Sequence, residues 1–184
     1  CKEHLALSLE AARKSMVLLK NNGILPLQRK NIRTVGVIGP TADSRLVLKG
    51  NYYGTSSRYT TILEGIQEEA GEEIRVLYAE GCEMAADRTE PLAMPHDRES
   101  EAVAVALSSD IVVLCLGLDE TLEGEEKDEG NHYGSGDKED LSLPLVQRRL
   151  LDRVASVCKP VILILTAGSA IDLYEADARC AAVL

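Results

Sequence analysis

The sequence of 184 residues contains no Trp and no Phe, and its six Tyr supply all of the aromatic side chains. This scarcity argues against an extended aromatic stacking surface in the chain. Positive charge is also scarce, because 20 Lys and Arg stand against 30 Asp and Glu and the net charge is −10 at pH 7. Nucleic-acid binding is not expected, since phosphate contacts need clustered Lys and Arg.

Long apolar runs are missing as well. The longest are far shorter than the roughly 20 residues that span a bilayer, so no membrane association is predicted. No basic segment followed by an apolar one opens the sequence, and any export signal is expected upstream of Cys1. The compartment is therefore left open, with a periplasmic or secreted location compatible. Both ends look cut, and we expect a piece of a longer protein.

Several sequence motifs of cofactor and catalytic sites are absent. There is no G-x-G-x-x-G or G-x-x-x-x-G-K-[ST] for nucleotides, no G-x-S-x-G around a nucleophilic serine, and no C-x-x-C or Cys/His metal spacing. The five Cys are an odd number, and most lie in or beside apolar runs. They are predicted to be free thiols, mainly buried. No metal and no cofactor is expected.

Strand-like and helix-like segments alternate along the chain. Helices are predicted at 5–20, 60–70, 97–109 and 145–157, and strands at 34–39, 74–79, 110–118 and 160–165, with another beginning at 180. Strands such as "DIVVLCLGL" show no polar alternation, which is typical of strands buried on both faces. The pattern predicts an α/β layered fold with a mostly parallel sheet.

Ligand sites in such sheets form beyond the carboxyl ends of the strands. The acidic loop, residues 119–138, follows a predicted strand directly, and seven of its first eleven residues are Asp or Glu. Most charge runs are solvated surface, and the loop does not follow the ligand pattern of a Ca²⁺ site. A third interpretation is a catalytic carboxyl group, because neighbouring carboxylates raise a pKa and keep a proton available. Glu123, Glu125 and Glu126 are the candidates, and the residues alone leave this choice open.

Five segments together resemble the C-terminal α/β sandwich domain of family 3 glycoside hydrolases, the β-glucosidase and β-xylosidase group. They are, in order, "AARKSMVLLKNNGILPL", "TVGVIGPTAD", "KGNYYGTSSRYTTILEGI", "VLYAEGC" and "VVLCLGLDETLEGEE…GDKEDLSLPLVQRRLL". The resemblance implies a three-layer α/β sandwich, a mostly parallel sheet flanked by helices, over residues 31–184, truncated at the C-terminus. Residues 1–30 would be a linking helix and lead-in from a missing N-terminal TIM barrel. "GNYYGTSS" and "GLDETLEGEE" look closer to the β-xylosidase branch.

The resemblance also implies a function. The family contains retaining β-glycosidases that hydrolyse terminal non-reducing β-D-glucosyl or β-D-xylosyl residues, with an Asp nucleophile supplied by the barrel. Its acid/base Glu falls on Glu125, with Glu123 and Glu126 as alternatives. The family's Asp-Arg pair falls on Asp137 and Lys138. Lys keeps the charge but loses the bidentate fork of Arg.

Further site residues are expected in the loop after the first strand, and partners are expected from the resemblance. Asn51 and Tyr52, with Tyr53 beside them, are candidates for contact with the sugar, although they could equally be packing residues. The expected partners are a β-linked glycoside and the missing barrel domain, so the isolated chain is predicted to fold without hydrolysing substrate. The alternative is a non-catalytic capping or carbohydrate-binding α/β module whose acidic loop is solvated.

Overall fold

The computed structural model describes residues 1–50, 54–88, 91–124, 130, 132 and 138–184. The helices in this part of the chain are α1 (Lys2–Ser15), α2 (Ile62–Ala70), α3 (Asp97–Leu107), α4 (Leu145–Ala155) and α5 (Tyr174–Arg179). The strands are β1 (Lys20–Asn21), β2 (Thr34–Ile38), β3 (Arg75–Ala79), β4 (Ile111–Gly117), β5 (Val161–Thr166) and β6 (Ala182–Val183).

The strands form one sheet in the order β1-β6-β5-β4-β2-β3. Every neighbouring pair is parallel except β1 with β6. The predicted α/β fold with a mostly parallel sheet and flanking helices is confirmed. Since β2 to β5 point the same way, the loops after β4 and β5 leave the sheet at one edge, the carboxyl edge.

Strand β4 is the centre of the core, and all seven of its residues are buried. Its alternate side chains enter two separate clusters. Leu114 and Leu116 pack with residues of α3 and α4, among them Leu150. Val113 and Cys115 pack on the opposite face with residues that include Leu63 of α2. This burial on both faces is the reason why the sequence of β4 shows no polar alternation.

Helix α1 differs from its prediction. The apolar spacing predicts a helix over 5–20, but α1 ends at Ser15 and Met16 is extended. The reason is pairing with β6, because the Leu19 amide donates to the Val183 carbonyl at 2.8 Å. This strand pairing overrides the local helical pattern. No residue of α1 is buried, and none of the helices in the described ranges has the length and apolar composition that a bilayer crossing requires.

Candidate active site

The end of β4 is fixed by a buried amide side chain. Gln147 on α4 has no exposed surface. Its Nε2 donates to the carbonyl oxygens of Gly117 at 2.8 Å and Met84 at 2.7 Å, and its Oε1 accepts from the Gly117 amide at 2.9 Å. The ladder between β2 and β4 ends at the pair Ile38 and Leu114, so Gln147 supplies the bonds that a strand neighbour would otherwise give to Gly117.

Directly after β4, the acidic loop begins with a hydrogen-bonded turn. Asp119 Oδ1 accepts from the Thr121 amide at 3.0 Å and from its hydroxyl at 2.6 Å. The Asp119 carbonyl accepts from the amides of Leu122 and Glu123, both at 2.9 Å. Leu122 is fully buried in the core. The first residues of the acidic loop are thus packed and hydrogen-bonded, unlike a solvated run of charges.

Glu123 joins this turn to the β5–α5 loop, residues 167–173. Its Oε2 accepts from the Gly168 amide at 2.8 Å. Its Oε1 accepts from the Ser169 amide at 2.8 Å and from the Ser169 hydroxyl. The two loops are 46 residues apart in the sequence at this contact. Both follow parallel strands that end at the carboxyl edge, which is why they meet.

Two further contacts hold the described residues near the end of the acidic loop. The His132 amide donates to the Thr121 carbonyl at 2.7 Å. Lys138 Nζ donates to the Ala170 carbonyl at 2.9 Å. Lys138 therefore contacts the same β5–α5 loop that Glu123 contacts.

A cavity of about 490 Å³ opens between these loops. It is lined by residues of the acidic loop, the end of β5 with the loop after it, and the 3-10 helix Leu46–Leu48 with the following turn. Glu120 lines it, and its Oε2 is buried with no hydrogen-bond partner among the described residues. Buried polar atoms normally have partners, so this oxygen is an acceptor that the described residues leave unsatisfied.

Most of the site residues expected from the sequence fall outside the described part of the chain. These are Asn51, Tyr52, Tyr53, Glu125, Glu126 and Asp137. Their assigned roles therefore stay predictions. Of the expected site residues, Glu123 and Lys138 are described, and they contact neighbouring residues of the β5–α5 loop.

Two of the buried cysteines are poor candidates for a nucleophile. All five are free. Burial raises the pKa of Cys115 on β4 to about 12, and burial, followed by the charge of Glu80, raises that of Cys82 to about 12. These thiols are protonated at neutral pH, and a protonated thiol is a poor nucleophile. Among the residues that the structure describes, no group of His, Cys, Asp or Glu is arranged to hold a metal ion.

A second cavity, of about 270 Å³, lies beneath the loop after β3. The charged side chains here include a paired set. Buried Glu99 accepts from Arg149 Nε at 3.0 Å, and Arg149 also forms a bidentate pair with Asp87 at 2.8 Å. The hydrogen bond from Arg149 lowers the pKa of Asp87. This network joins α3 to α4 and has a structural role. The cavity beside Glu123 is therefore the better candidate site.

Sequence reasoning missed two residues that shape the site. Gln147 lies on the helical face of α4 that carries Leu150, Leu151 and Val154, all of them buried. A polar residue at helical spacing from three apolar ones is a signal that a buried amide has a specific partner. Ser169 carries a weaker signal, since it is one small polar residue in a loop after a strand.

Comparison with known proteins identifies the fold at this site. The family model described as the glycosyl hydrolase family 3 C-terminal domain matches residues 16–184. Beta-D-xylosidase 1 of Arabidopsis thaliana is 38% identical over 185 residues, which cover 98% of this chain and 21% of that protein. A β-glucosidase structure from Erythrobacter marinus is 32% identical with a TM-score of 0.82, covering 98% of this chain and 26% of that one.

A solved family 3 exo-β-xylosidase in complex with a xylobiose aziridine probe is 26% identical with a TM-score of 0.82, covering 98% of this chain and 21% of that one. The chain thus spans about a fifth of the length of the curated relatives that it matches. Because the family model covers nearly all of the described strands and helices, the chain belongs to the glycosyl hydrolase family 3 C-terminal domain family.

Proposed function

We propose that this chain supplies the general acid/base of a retaining β-glycosidase, with Glu125 in that role. The observation that carries the proposal is the anchored start of the acidic loop. Leu122 is fully buried and Glu123 is bonded to the β5–α5 loop, two residues before Glu125. A loop held at the carboxyl edge of a parallel sheet, beside a cavity, is where a catalytic side chain belongs.

The chemistry requires two carboxyl groups about 5–5.5 Å apart. In the first step, an Asp outside this chain attacks the anomeric carbon while the Glu125 carboxyl group gives its proton to the leaving oxygen. In the second step, the Glu125 carboxylate takes a proton from water, which displaces the Asp and releases the sugar with retained configuration. The same residue acts first as acid and then as base.

The nucleophile must come from another part of the protein. The curated relatives are about five times as long as this chain, so they contain further segments. Helix α1 offers a surface for one of them, because Leu5 and Leu9 are 70% and 51% exposed. Extended apolar patches on soluble proteins commonly mark interfaces. We propose that the preceding catalytic domain packs on α1, and that the chain alone is inactive.

The proposed substrate carries a terminal non-reducing β-D-xylosyl or β-D-glucosyl residue. The curated relatives that match at 33–38% identity include several called β-xylosidases, which favours xylosides. The β-glucosidase structure at 32% identity favours glucosides as the second candidate. Comparing kcat/KM of the full-length protein for 4-nitrophenyl β-D-xyloside and β-D-glucoside decides between them.

The test of the acid/base role is Glu125→Gln in the full-length protein. Without the acid, kcat/KM should fall at least about 100-fold for a phenyl glycoside, whose poor leaving group needs a proton. It should change little for a 2,4-dinitrophenyl glycoside, which leaves unassisted. Glu72→Gln is the matched control, because Glu72 is exposed in the turn before β3, at the opposite edge of the sheet.

The alternative is a non-catalytic capping or carbohydrate-binding module. In that case the acid would come from another domain, and Glu125→Gln would leave kcat/KM unchanged for both leaving groups. Loss of the two activities in equal proportion would indicate a structural role for Glu125 instead.

A further inference from the structure

We infer that Glu123 is a positioning residue, which fixes the loop that carries the acid/base by bonding to Gly168 and Ser169. The inference rests on the proposed role of Glu125. It assigns Glu123 a different task from the one that its place in an acidic cluster suggests, and it gives the β5–α5 loop a function in the reaction.

The Glu123 carboxylate accepts hydrogen bonds at both of its oxygens. Two backbone amides and one hydroxyl donate to it, one amide to each oxygen. Hydrogen bonds to a charged acceptor are stronger and more directional than those between neutral groups. A carboxylate whose two oxygens both accept backbone hydrogen bonds acts as an anchor, because it holds the acidic loop to the β5–α5 loop. A group that hands a proton to a sugar oxygen must instead point an O–H toward substrate.

The Glu123 anchor has close contacts on both sides. A Cβ added at Gly168 would lie 3.4 Å from Glu123 Oε2, so the carboxylate sits close against the backbone of the β5–α5 loop. On the other side, Leu122 is fully buried and the Glu123 amide donates to the Asp119 carbonyl at 2.9 Å. Glu123 is therefore held through its backbone and its side chain at once.

The β5–α5 loop also contacts Lys138, whose Nζ donates to the carbonyl of Ala170 at 2.9 Å. The chain thus meets this loop at Glu123, before Glu125, and again at Lys138. Between Glu123 and Glu125 stands Gly124, whose backbone is the least restricted of any residue. Because only this one residue separates Glu123 from Glu125, we expect the bonds of Glu123 to limit the positions that Glu125 can reach.

Acid catalysis is sensitive to the position of the proton donor. The donor must lie within hydrogen-bonding reach of the leaving oxygen, and a displacement of about 1 Å can cost about 100-fold in rate. Loss of the anchor should therefore reduce proton donation without removing the proton donor. This loss depends on the leaving group, which distinguishes it from a general loss of folded protein.

The experiment measures kcat/KM of the full-length protein with phenyl and 2,4-dinitrophenyl β-D-xylosides. We expect Glu123→Gln to lower kcat/KM for the phenyl substrate about 100-fold. The NH₂ group of the new Gln side chain is a donor and would face a backbone N–H, which is also a donor. Ser169→Ala removes one of three bonds and should lower kcat/KM about 10-fold. The dinitrophenyl substrate should change less than about 3-fold in both variants, because it needs no acid.

Four further variants sharpen this test. Ser169→Thr keeps the hydroxyl group and should retain activity, and Ser108→Ala and Glu72→Gln at the opposite, exposed edge should have no effect. The double variant of Glu123 and Ser169 should be little worse than Glu123→Gln alone, because both changes break the same contact.

Three results would overturn the inference. The first is an unchanged phenyl-to-dinitrophenyl ratio in both variants, and the second is an equal loss on both substrates. The third is recovery of Glu123→Gln by added azide while Glu125→Gln does not recover, which would make Glu123 the acid/base itself. Glu125→Gln in the same assay separates the two proposals. If it alone shows the leaving-group effect, Glu125 keeps its role and the positioning role of Glu123 is wrong.

Discussion

Replacing Gln147 by Leu tests whether the end of β4 is held as the structure shows. The side chain makes three hydrogen bonds to backbone groups and is fully buried. Leu has a similar volume, so the substitution removes the bonds without opening a large cavity. The amide and carbonyl groups of Gly117 would then be buried without partners, at about 1–3 kcal/mol each. The Met84 carbonyl is less deeply buried and can turn toward water.

These costs sum to about 4 kcal/mol, and the apolar area that Leu buries offsets about 1 kcal/mol of it. We therefore expect Gln147→Leu to lower the free energy of unfolding by about 3 kcal/mol, a large part of the 5–15 kcal/mol typical of a domain. Urea denaturation of the 184-residue chain measures this directly. Amide exchange at Gly117 measures the local effect, and should become faster in the variant.

Gln67→Leu is the matched control, because Gln67 is exposed on α2 and its replacement should change stability by less than about 0.5 kcal/mol. A loss below about 1 kcal/mol in Gln147→Leu, with unchanged exchange at Gly117, would show that the bonds of Gln147 do not hold the end of β4. It would mean that the strand end is held by its ladder with β5 alone.

Two further predictions concern ionisation. The pKa of Asp110 is lowered because its carboxylate accepts hydrogen bonds from the amides of Arg33 and Thr34. A lowered pKa stabilises the folded state at pH values above the pKa of Asp in the unfolded chain, and this stabilisation is lost as the pH falls below about 4. Thermal melts from pH 7 to pH 3 should show a shallower acid decline in Asp110→Asn than in the parent chain, and identical slopes would contradict this. Under native conditions iodoacetamide should modify Cys1 and Cys158, which are exposed, while the three buried thiols react only after unfolding; five modified thiols in the native chain would be inconsistent with this burial.

The sequence predicts the centre of the sheet well. The run "DIVVLCLGL" is apolar at successive positions, and β4 is buried on both faces as that pattern indicates. The strand-end rule also places the acidic loop and the loop after β5 at the same edge, where Glu123 and Ser169 meet. These features depend on burial and on the direction of parallel strands, which hydrophobic patterning reveals.

Other features depend on contacts between distant residues, which a single sequence does not reveal. Residues 16–19 continue the apolar spacing of α1, yet they leave the helix because the following segment pairs with β6. Gln147 is 30 residues from Gly117, and only its place on an apolar face hints at a partner. Helix α5 has six residues, too few to show a helical period.

Glu125 is proposed to act as both acid and base, and the response of Glu125→Gln to azide distinguishes this role from a structural one. In Glu125→Gln no carboxylate is left to activate water, so the covalent glycosyl-enzyme should accumulate. Azide is already an anion and needs no base. With a 2,4-dinitrophenyl β-D-xyloside, added azide should raise the turnover of the full-length variant and yield the β-configured xylosyl azide. Turnover that is insensitive to azide, with xylose as the only product, would contradict the proposed acid/base role of Glu125.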